Sequence, residues 1–152
     1  MYQTLTFLHS TFLWLVLLSL LYSIYRSFRG YYTNKEYSQT DNNARHWTAT
    51  IAHIQLVLGI TIYSQSPIIR NFWNNFNEAK KSLDLLFFGL IHIFLMLISI
   101  ILITIGSSVA KRKLGDKEKF KTVCTYYSIA LFIILIAIPW PFSPFANRPY
   151  FR

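Results

Sequence analysis

The sequence predicts an all-α integral membrane protein, a four-transmembrane-helix antiparallel up-down bundle. Four long apolar stretches contain none of the 15 Lys and Arg or the 6 Asp and Glu residues. Each has about 17–21 residues, and because a helix rises about 1.5 Å per residue, each can cross a hydrocarbon core of about 30 Å. Lipid offers backbone amides no hydrogen-bond partner, so such stretches form helices. The predicted spans are about 5–25, 47–65, 85–105 and 122–138.

The first span lies in a segment whose first 25 residues are uncharged, and it ends at Arg26 and Arg29. It has no basic segment before it and no small-residue cleavage motif after it, so we expect a retained helix rather than a signal peptide. The second span follows a polar segment in which Asp41 and Asn42 are the expected helix caps. Pro67 is predicted to stop that helix, because proline disfavours helical geometry at the residue before it.

Between the second and third spans, residues 71–79 are predicted to form a short helix in the membrane interface. Aromatic residues recur there at helical spacing, and such side chains favour the headgroup level. The third span is expected to end at Gly106. The fourth ends where Pro139 and Pro141 break the helix, with Trp140 as the expected interfacial anchor. With short connections throughout, residues 1–152 are predicted to form a single integral membrane domain.

Basic residues predict the orientation of the chain. Ten of the 15 Lys and Arg residues lie between spans one and two or between spans three and four, and the other five lie on the opposite side. Because the side richer in Lys and Arg is cytoplasmic, both termini are expected on the outer side, and the chain is expected to cross its membrane several times.

Composition and charge narrow the classes of function. The net charge of +9 comes from basic residues that flank apolar spans, a pattern that indicates contact with membrane lipid and not with nucleic acid. The single cysteine, Cys124, excludes an internal disulfide and a multi-cysteine metal site. Intramembrane carboxylates, nucleophile–base pairs and phosphate-binding loops are absent from the sequence, so an enzyme or a transporter is not expected.

Each of the first three spans carries one stripe of small, polar or apolar residues at heptad-like spacing, and such stripes pack against other helices. In span one the stripe is Thr6, His9, Leu13, Val16, Leu20 and Ser23. In span two it is His46, Ala49, His53, Leu56, Ile60 and Tyr63. In span three it is Gly89, His92, Met96, Ser99, Ile103 and Gly106.

The spans contain three histidines, and an imidazole inside a bilayer is costly unless it is hydrogen-bonded or ligated. Two histidines from different helices can hold one haem b if they lie at similar depth. Counted from the cytoplasmic boundary, His9 lies about 25 Å up, His92 about 20 Å and His53 about 10 Å. His9 and His92 are therefore the axial haem candidates. His53 with Met96, at about 14 Å, is the weaker pair.

Two alternatives accompany that hypothesis. The three histidines are also explained as hydrogen-bond donors between helices, with no ligand. A second haem with two histidine ligands is disfavoured, because His46 and His53 lie on one face of one helix and cannot flank a porphyrin. The prediction is one haem or none.

Five short stretches carry a resemblance to known proteins: 9–14, 53–59, 66–67, 103–107 and 138–142. Together, and in matching order along the whole chain, they resemble a family of small bacterial four-helix membrane proteins labelled "cytochrome B". The family has a histidine in each of the first three spans, matched here by His9, His53 and His92. The resemblance implies a single-haem b-type electron carrier of the bacterial cytoplasmic (inner) membrane that works with a redox partner, so the outer side is expected to be periplasmic. Ser10, Trp14 and Gln55 would line its site.

The chain departs from that family at two places. Leu13 stands where the family has arginine, and Ile91 and Ile93 stand where it has glutamate and proline beside the histidine of span three. If the arginine and the glutamate form a salt bridge in the family, the two residues are expected to be lost together, as they are here. The alternative function is therefore a cofactor-free accessory or structural subunit that joins other subunits in a larger inner-membrane complex.

Overall fold

The computed structural model describes residues 2–146 and 148–149, and all regular structure among them is helical. This confirms the all-α class. The helices are α1 (Tyr2–Tyr32), α2 (Gln39–Gln65), α3 (Pro67–Asn74), α4 (Phe76–Ala79), α5 (Leu83–Leu86), α6 (His92–Arg112) and α7 (Asp116–Ala137), with a π-helix at Phe87–Ile91 between α5 and α6.

Three helical segments are long and apolar enough to cross a membrane: α1, the continuous segment Leu83–Arg112, and α7. Helix α2 is long, with 27 residues, but it carries more polar side chains and does not meet the same criterion within the described residues. Three of the four predicted spans therefore have a membrane-type helix. All four long helices extend past the predicted spans, and the additional turns are at the ends that carry the basic residues. Caps and ion pairs, not apolarity, stabilise those turns.

The four long helices pack in a ring. Helix α1 contacts α2 and α7, and α6 contacts the same two helices. The N-terminal turn of α1 meets the end of α2, where the Tyr2 hydroxyl donates to Ser66 Oγ at 3.2 Å, so α1 and α2 are antiparallel. We call the end with loops 33–38 and 113–115 the basic end. The opposite end contains a cavity between the helices, and we call it the cavity end.

The half of the ring toward the basic end is tightly packed. Leu20, Ile103 and Tyr127 are fully buried between the helices, and Tyr127 donates its hydroxyl to the Arg45 carbonyl at 2.8 Å. Small residues bring α6 and α7 together, because a Cβ on Gly106 would lie 2.8 Å from Tyr126 Cγ. Four residues of the stripe predicted for span three are buried: Gly89, Ser99, Ile103 and Gly106.

Helix α2 begins earlier than the sequence predicts. Ser38 is the N-cap, and Asp41 is the third helical residue, with which it forms a reciprocal capping box. Arg26 Nε of α1 donates to Asp41 Oδ1 at 2.6 Å. Asp41 and Asn42 therefore lie inside the helix, and the prediction that they cap it was wrong at that point. Burial disfavours the charged form of Asp41, but the hydrogen bonds from Arg26 and Ser38 outweigh it and lower the pKa of this carboxyl.

We expect Asp41→Asn to destabilise the protein at neutral pH by about 1.5–3 kcal/mol, because it leaves Arg26 without its carboxylate. A lowered pKa gives stability that is present above the ordinary carboxyl pKa and lost as pH falls through the lowered value. The two proteins should therefore converge in acid. Unfolding in mixed detergent, followed by circular dichroism at several pH values, measures this. A difference that stays constant from neutral pH to acid would contradict it.

The short helix predicted at 71–79 is present in two pieces. Helix α2 ends at Gln65, as predicted from Pro67. Pro67 is then the first residue of α3, with Ser66 as its cap, and Asn75 separates α3 from α4. Phe72 is fully buried against Gly89, where an added Cβ would lie 2.6 Å from its ring. Trp73 and Phe76 are exposed and stacked.

The π-helix that precedes His92 has no signal in the sequence. Its Gly89 carbonyl accepts a hydrogen bond from the Tyr63 hydroxyl at 2.8 Å, and Trp73 Nε1 donates to that same hydroxyl at 3.1 Å. Short π-helical segments inside longer helices are frequent at functional sites. Here the segment fixes how the cavity end of α6 meets α2 and α3.

Candidate functional site

A cavity of about 370 Å³ lies between the four long helices at the cavity end. Helix α3 and the segment that follows α7 also contribute to its wall. Most of the lining is aliphatic, contributed by Leu and Ile side chains of all four helices. The volume falls in the lower part of the range of about 300–1,000 Å³ that is typical of small-molecule sites.

His92, the first residue of α6, lines this cavity, and its ring is held by α7. The Nδ1 atom lies 2.8 Å from the Ala137 carbonyl oxygen. A carbonyl only accepts, so Nδ1 carries the proton and Nε2 keeps the lone pair. The Ala137 carbonyl is available because it belongs to the last residue of α7, and the last carbonyls of a helix have no partner within that helix. A backbone carbonyl on the second ring nitrogen is the arrangement that metal-binding histidines usually have.

The carbonyl of Leu135, also near the end of α7, is bonded by a side chain. Pro139, four residues on, has no N–H to donate to it, and it accepts instead from Trp140 Nε1 at 2.8 Å. The Trp140 ring lies 6.3 Å from the ring of Trp14, edge to face, and both residues line the cavity. Trp140, expected as an interfacial anchor, therefore packs back on the bundle.

His9 of α1 lies on the opposite side of the ring from α6 and lines the same cavity. Its ring rests on Gly59 of α2, where an added Cβ would lie 3.2 Å from His9 Cε1. One turn earlier, Gln55 Nε2 donates to the His9 carbonyl at 2.9 Å. Gln55 Oε1 is shielded from solvent and accepts no hydrogen bond within residues 2–146 and 148–149. A ligand with a polar hydrogen would satisfy that oxygen.

The structure thus brings His9, His92 and Met96 to one cavity, together with the predicted lining residues Ser10, Trp14 and Gln55. His53 does not line it. It is exposed, and its Nε2 lies 2.9 Å from Thr104 Oγ1. Since that hydroxyl donates to the Ile100 carbonyl, His53 is the donor. His46 is also exposed and packs edge-on against Trp47.

Sequence reasoning missed the ion pair at the rim of the cavity. Arg148 Nη2 lies 2.9 Å from Asp84 Oδ2, and the guanidinium lies over the ring of Phe88 at 4.7 Å. Both Phe88 and Arg148 line the cavity. Residues 84 and 148 are far apart in sequence and share no motif, so nothing local could have predicted the pair.

Family models, curated proteins and solved structures were all compared with the chain, and none of them matches it. The fold and the site define a class instead: a helical membrane-type protein with an apolar cavity flanked by two histidines. In the part of the chain that the structure describes, no group of three or more His, Cys, Asp and Glu side chains could hold a metal ion.

The hydrogen bonds predict opposite tautomers for two histidines. We expect neutral His92 to carry its proton on Nδ1 and neutral His53 to carry it on Nε2. Two-bond ¹H–¹⁵N correlation spectra of the purified protein distinguish the two patterns, and the variants His92→Gln and His53→Gln assign the signals. The same tautomer at both positions would contradict the packing of α6 on α7 or of α2 on α6.

Proposed function

We propose that the protein is a small b-type cytochrome-like electron carrier of the bacterial cytoplasmic membrane, and not an enzyme, with a single haem b held by His9 and His92. One observation carries the proposal: imidazoles from two facing helices line one apolar cavity. Haem iron, when bound, supplies reversible one-electron transfer. The residues of this chain would bind and orient such a group.

The donor set fits a haem with two nitrogen ligands. The hydrogen bond from His92 Nδ1 to the Ala137 carbonyl directs the basic Nε2 away from α7 and fixes the ring. Gly59 gives His9 a flat surface without a side chain, so that ring can lie close to α2. The lining is mostly apolar, and a low dielectric around a haem is one of the factors that set its potential. Met96 is the alternative ligand within the same cavity.

We also propose that α2 is a fourth transmembrane helix and completes the four-transmembrane bundle. It packs between α1 and α6, and its polar side chains are paired with these neighbours. Thr48 pairs with Ser23 at 2.8 Å, Gln55 with the His9 carbonyl, and His53 with Thr104. Paired polar groups between helices are tolerated in lipid. The basic end would face the cytoplasm and both termini the periplasm.

Absorption spectroscopy of protein produced with ample haem tests the proposal. We expect one haem per chain, a Soret band, and α and β bands that sharpen on reduction. A stable, monodisperse protein without these bands would contradict it. Its redox partner would be a second membrane or periplasmic protein.

The second candidate is a cofactor-free accessory subunit of a larger inner-membrane complex. Leu13, Ile91 and Ile93 favour it, because they replace the charged pair and the proline of the family that the chain resembles. In that case the cavity would be filled by a lipid chain or by an apolar segment of another subunit. Purification with a large complex from native membranes, with no haem absorbance of its own, would support this function over the first.

A further inference from the structure

A second, polar pocket lies at the basic end, at the opposite end of the bundle from His9 and His92. Its volume is about 210 Å³, and it forms where the first turn of α2, the last turn of α6 and the first turns of α7 meet. The residues that matter for its chemistry are Tyr37, Asn42, Lys111 and Lys119. They come from three parts of the chain: residues 37–42, the end of α6 and the start of α7.

Two lysines give this pocket a positive charge. Lys111 has no ion pair within the described residues. Lys119 Nζ lies 3.4 Å from Asp116 Oδ1 and 5.4 Å from the centroid of the Tyr37 ring. The Asp116 contact is long and its carboxylate is exposed, so it neutralises Lys119 only weakly.

A third cation, Arg45, is in contact with Asn42 of the pocket. Its side chain is buried, with 5% of the residue exposed, and it has no carboxylate partner in the described parts of the chain. It donates to Ser107 and, from Nη2, to Asn42 Oδ1 at 2.8 Å. Its Nε has no acceptor within residues 2–146 and 148–149. A buried cation paired only with neutral groups is costly, and a nearby anion reduces that cost.

The bond to Arg45 also orients Asn42. Because Oδ1 accepts from Arg45, the Nδ2 donor is left for the pocket that Asn42 lines. The first turn of α2 adds the positive end of a helix dipole at the same place. Two lysines and one amide donor therefore line one small space, and a buried guanidinium is hydrogen-bonded to the other end of that amide.

We propose that this pocket binds the phosphate of an anionic phospholipid headgroup. The phosphate would accept from Lys111, Lys119 and Asn42 Nδ2, and its charge would balance Arg45. A lipid is the favoured source of the phosphate because the pocket lies at the lysine-rich ends of two membrane-type helices. Basic pockets between such helices bind anionic headgroups. The proposal is independent of haem and of the function of the cavity.

Lipid titration of the detergent-purified full chain, followed by native mass spectrometry, tests the proposal. Phosphatidylglycerol should bind the wild-type protein more tightly than phosphatidylcholine does. In the variant Lys111→Gln/Lys119→Gln, binding of phosphatidylglycerol should weaken about thirtyfold, as expected for two basic groups at an anionic surface. The matched control Lys35→Gln/Lys121→Gln removes the same charge at the same end outside the pocket and should bind nearly as wild type. Lys111→Arg/Lys119→Arg should restore binding.

Two results would overturn the proposal. Equal weakening in the control variant would mean general attraction to a basic surface and no built site. The second result concerns inorganic phosphate at millimolar concentration. If it displaces the lipid completely and raises the thermal stability as much as the lipid does, the pocket is a site for the free anion. Circular dichroism of each variant verifies its fold, and because all four lysines are on the surface or partly exposed, folding should be unchanged.

Discussion

Replacing His92 by alanine should abolish haem binding, with the Soret absorbance per chain falling to less than about a tenth of the wild-type value. The substitution removes a proposed axial ligand and also leaves the Ala137 carbonyl without its donor. Loss of a supporting contact alone typically lowers metal affinity 10–100-fold, so loss of a ligand should cost at least as much. His9→Ala should have an effect of similar size. The measurement is haem per chain after purification with excess haem.

The chain supplies matched controls for this experiment. His53→Ala removes an imidazole that lies outside the cavity, so haem content should be unchanged, although the loss of the bond to Thr104 would lower stability slightly. Met96→Leu keeps the volume of a cavity residue and removes its sulfur. An unchanged spectrum in Met96→Leu, with loss in both histidine variants, assigns the ligands. Full haem content in His9→Ala and His92→Ala would refute the ligand assignment, whatever else the protein binds.

The fold class and the helices could be predicted because they depend on local properties. An uncharged stretch of sufficient length specifies a helix in lipid whatever its neighbours are. The inward face of the segment Leu83–Arg112 was also predictable, since Gly89, Ser99 and Gly106 are small residues at helical spacing, and all three are buried. In membrane helices such residues are at interfaces because they let backbones approach closely.

The inward face of α2 was predicted only in part. Ala49 of the proposed stripe is buried, but His53 and Ile60 are exposed. Thr48 and Ala52, which lie outside the stripe, are buried as well. The histidine was misleading, because an imidazole was assumed to need the bundle interior, whereas Thr104 on the neighbouring helix satisfies it at the surface. The small residues, and not the most polar one, determined the rotation of the helix.

The cavity depends on contacts that a sequence does not reveal. His9 and His92 were paired by their estimated depth, and both line it. What holds His92 in place, however, is the Ala137 carbonyl at the end of α7, 45 positions away along the chain. The π-helix before His92 has no sequence signal either. Long-range hydrogen bonds of this kind decide whether two residues at equal depth face the same space.

Gly106→Leu should destabilise the folded bundle more than any other single substitution proposed for this protein. A Cβ on Gly106 would overlap Tyr126 Cβ and lie 2.8 Å from Cγ. Because Tyr126 Cβ is attached to the backbone of α7, no change of side-chain conformation relieves the overlap, and α6 and α7 must separate. Insertion of one extra methylene into a packed core costs about 1–3 kcal/mol, and leucine adds several. Gly106→Ala should fall in that range and Gly106→Leu beyond it.

Unfolding of the purified protein in increasing mole fractions of a denaturing detergent, followed by far-ultraviolet circular dichroism, gives the free energy of unfolding for each variant. Gly115→Ala is the matched control, since its added Cβ would meet only Glu118 Cγ at 3.7 Å, an ordinary van der Waals contact. That variant should stay within about 0.5 kcal/mol of the wild type. The separation of α6 from α7 also moves Ala137 away from His92, so Gly106→Leu should weaken ligand binding at a cavity it does not line. If Gly106→Leu is as stable as Gly115→Ala, α6 and α7 do not pack through Gly106 and Tyr126, and the position of His92 against α7 loses its support.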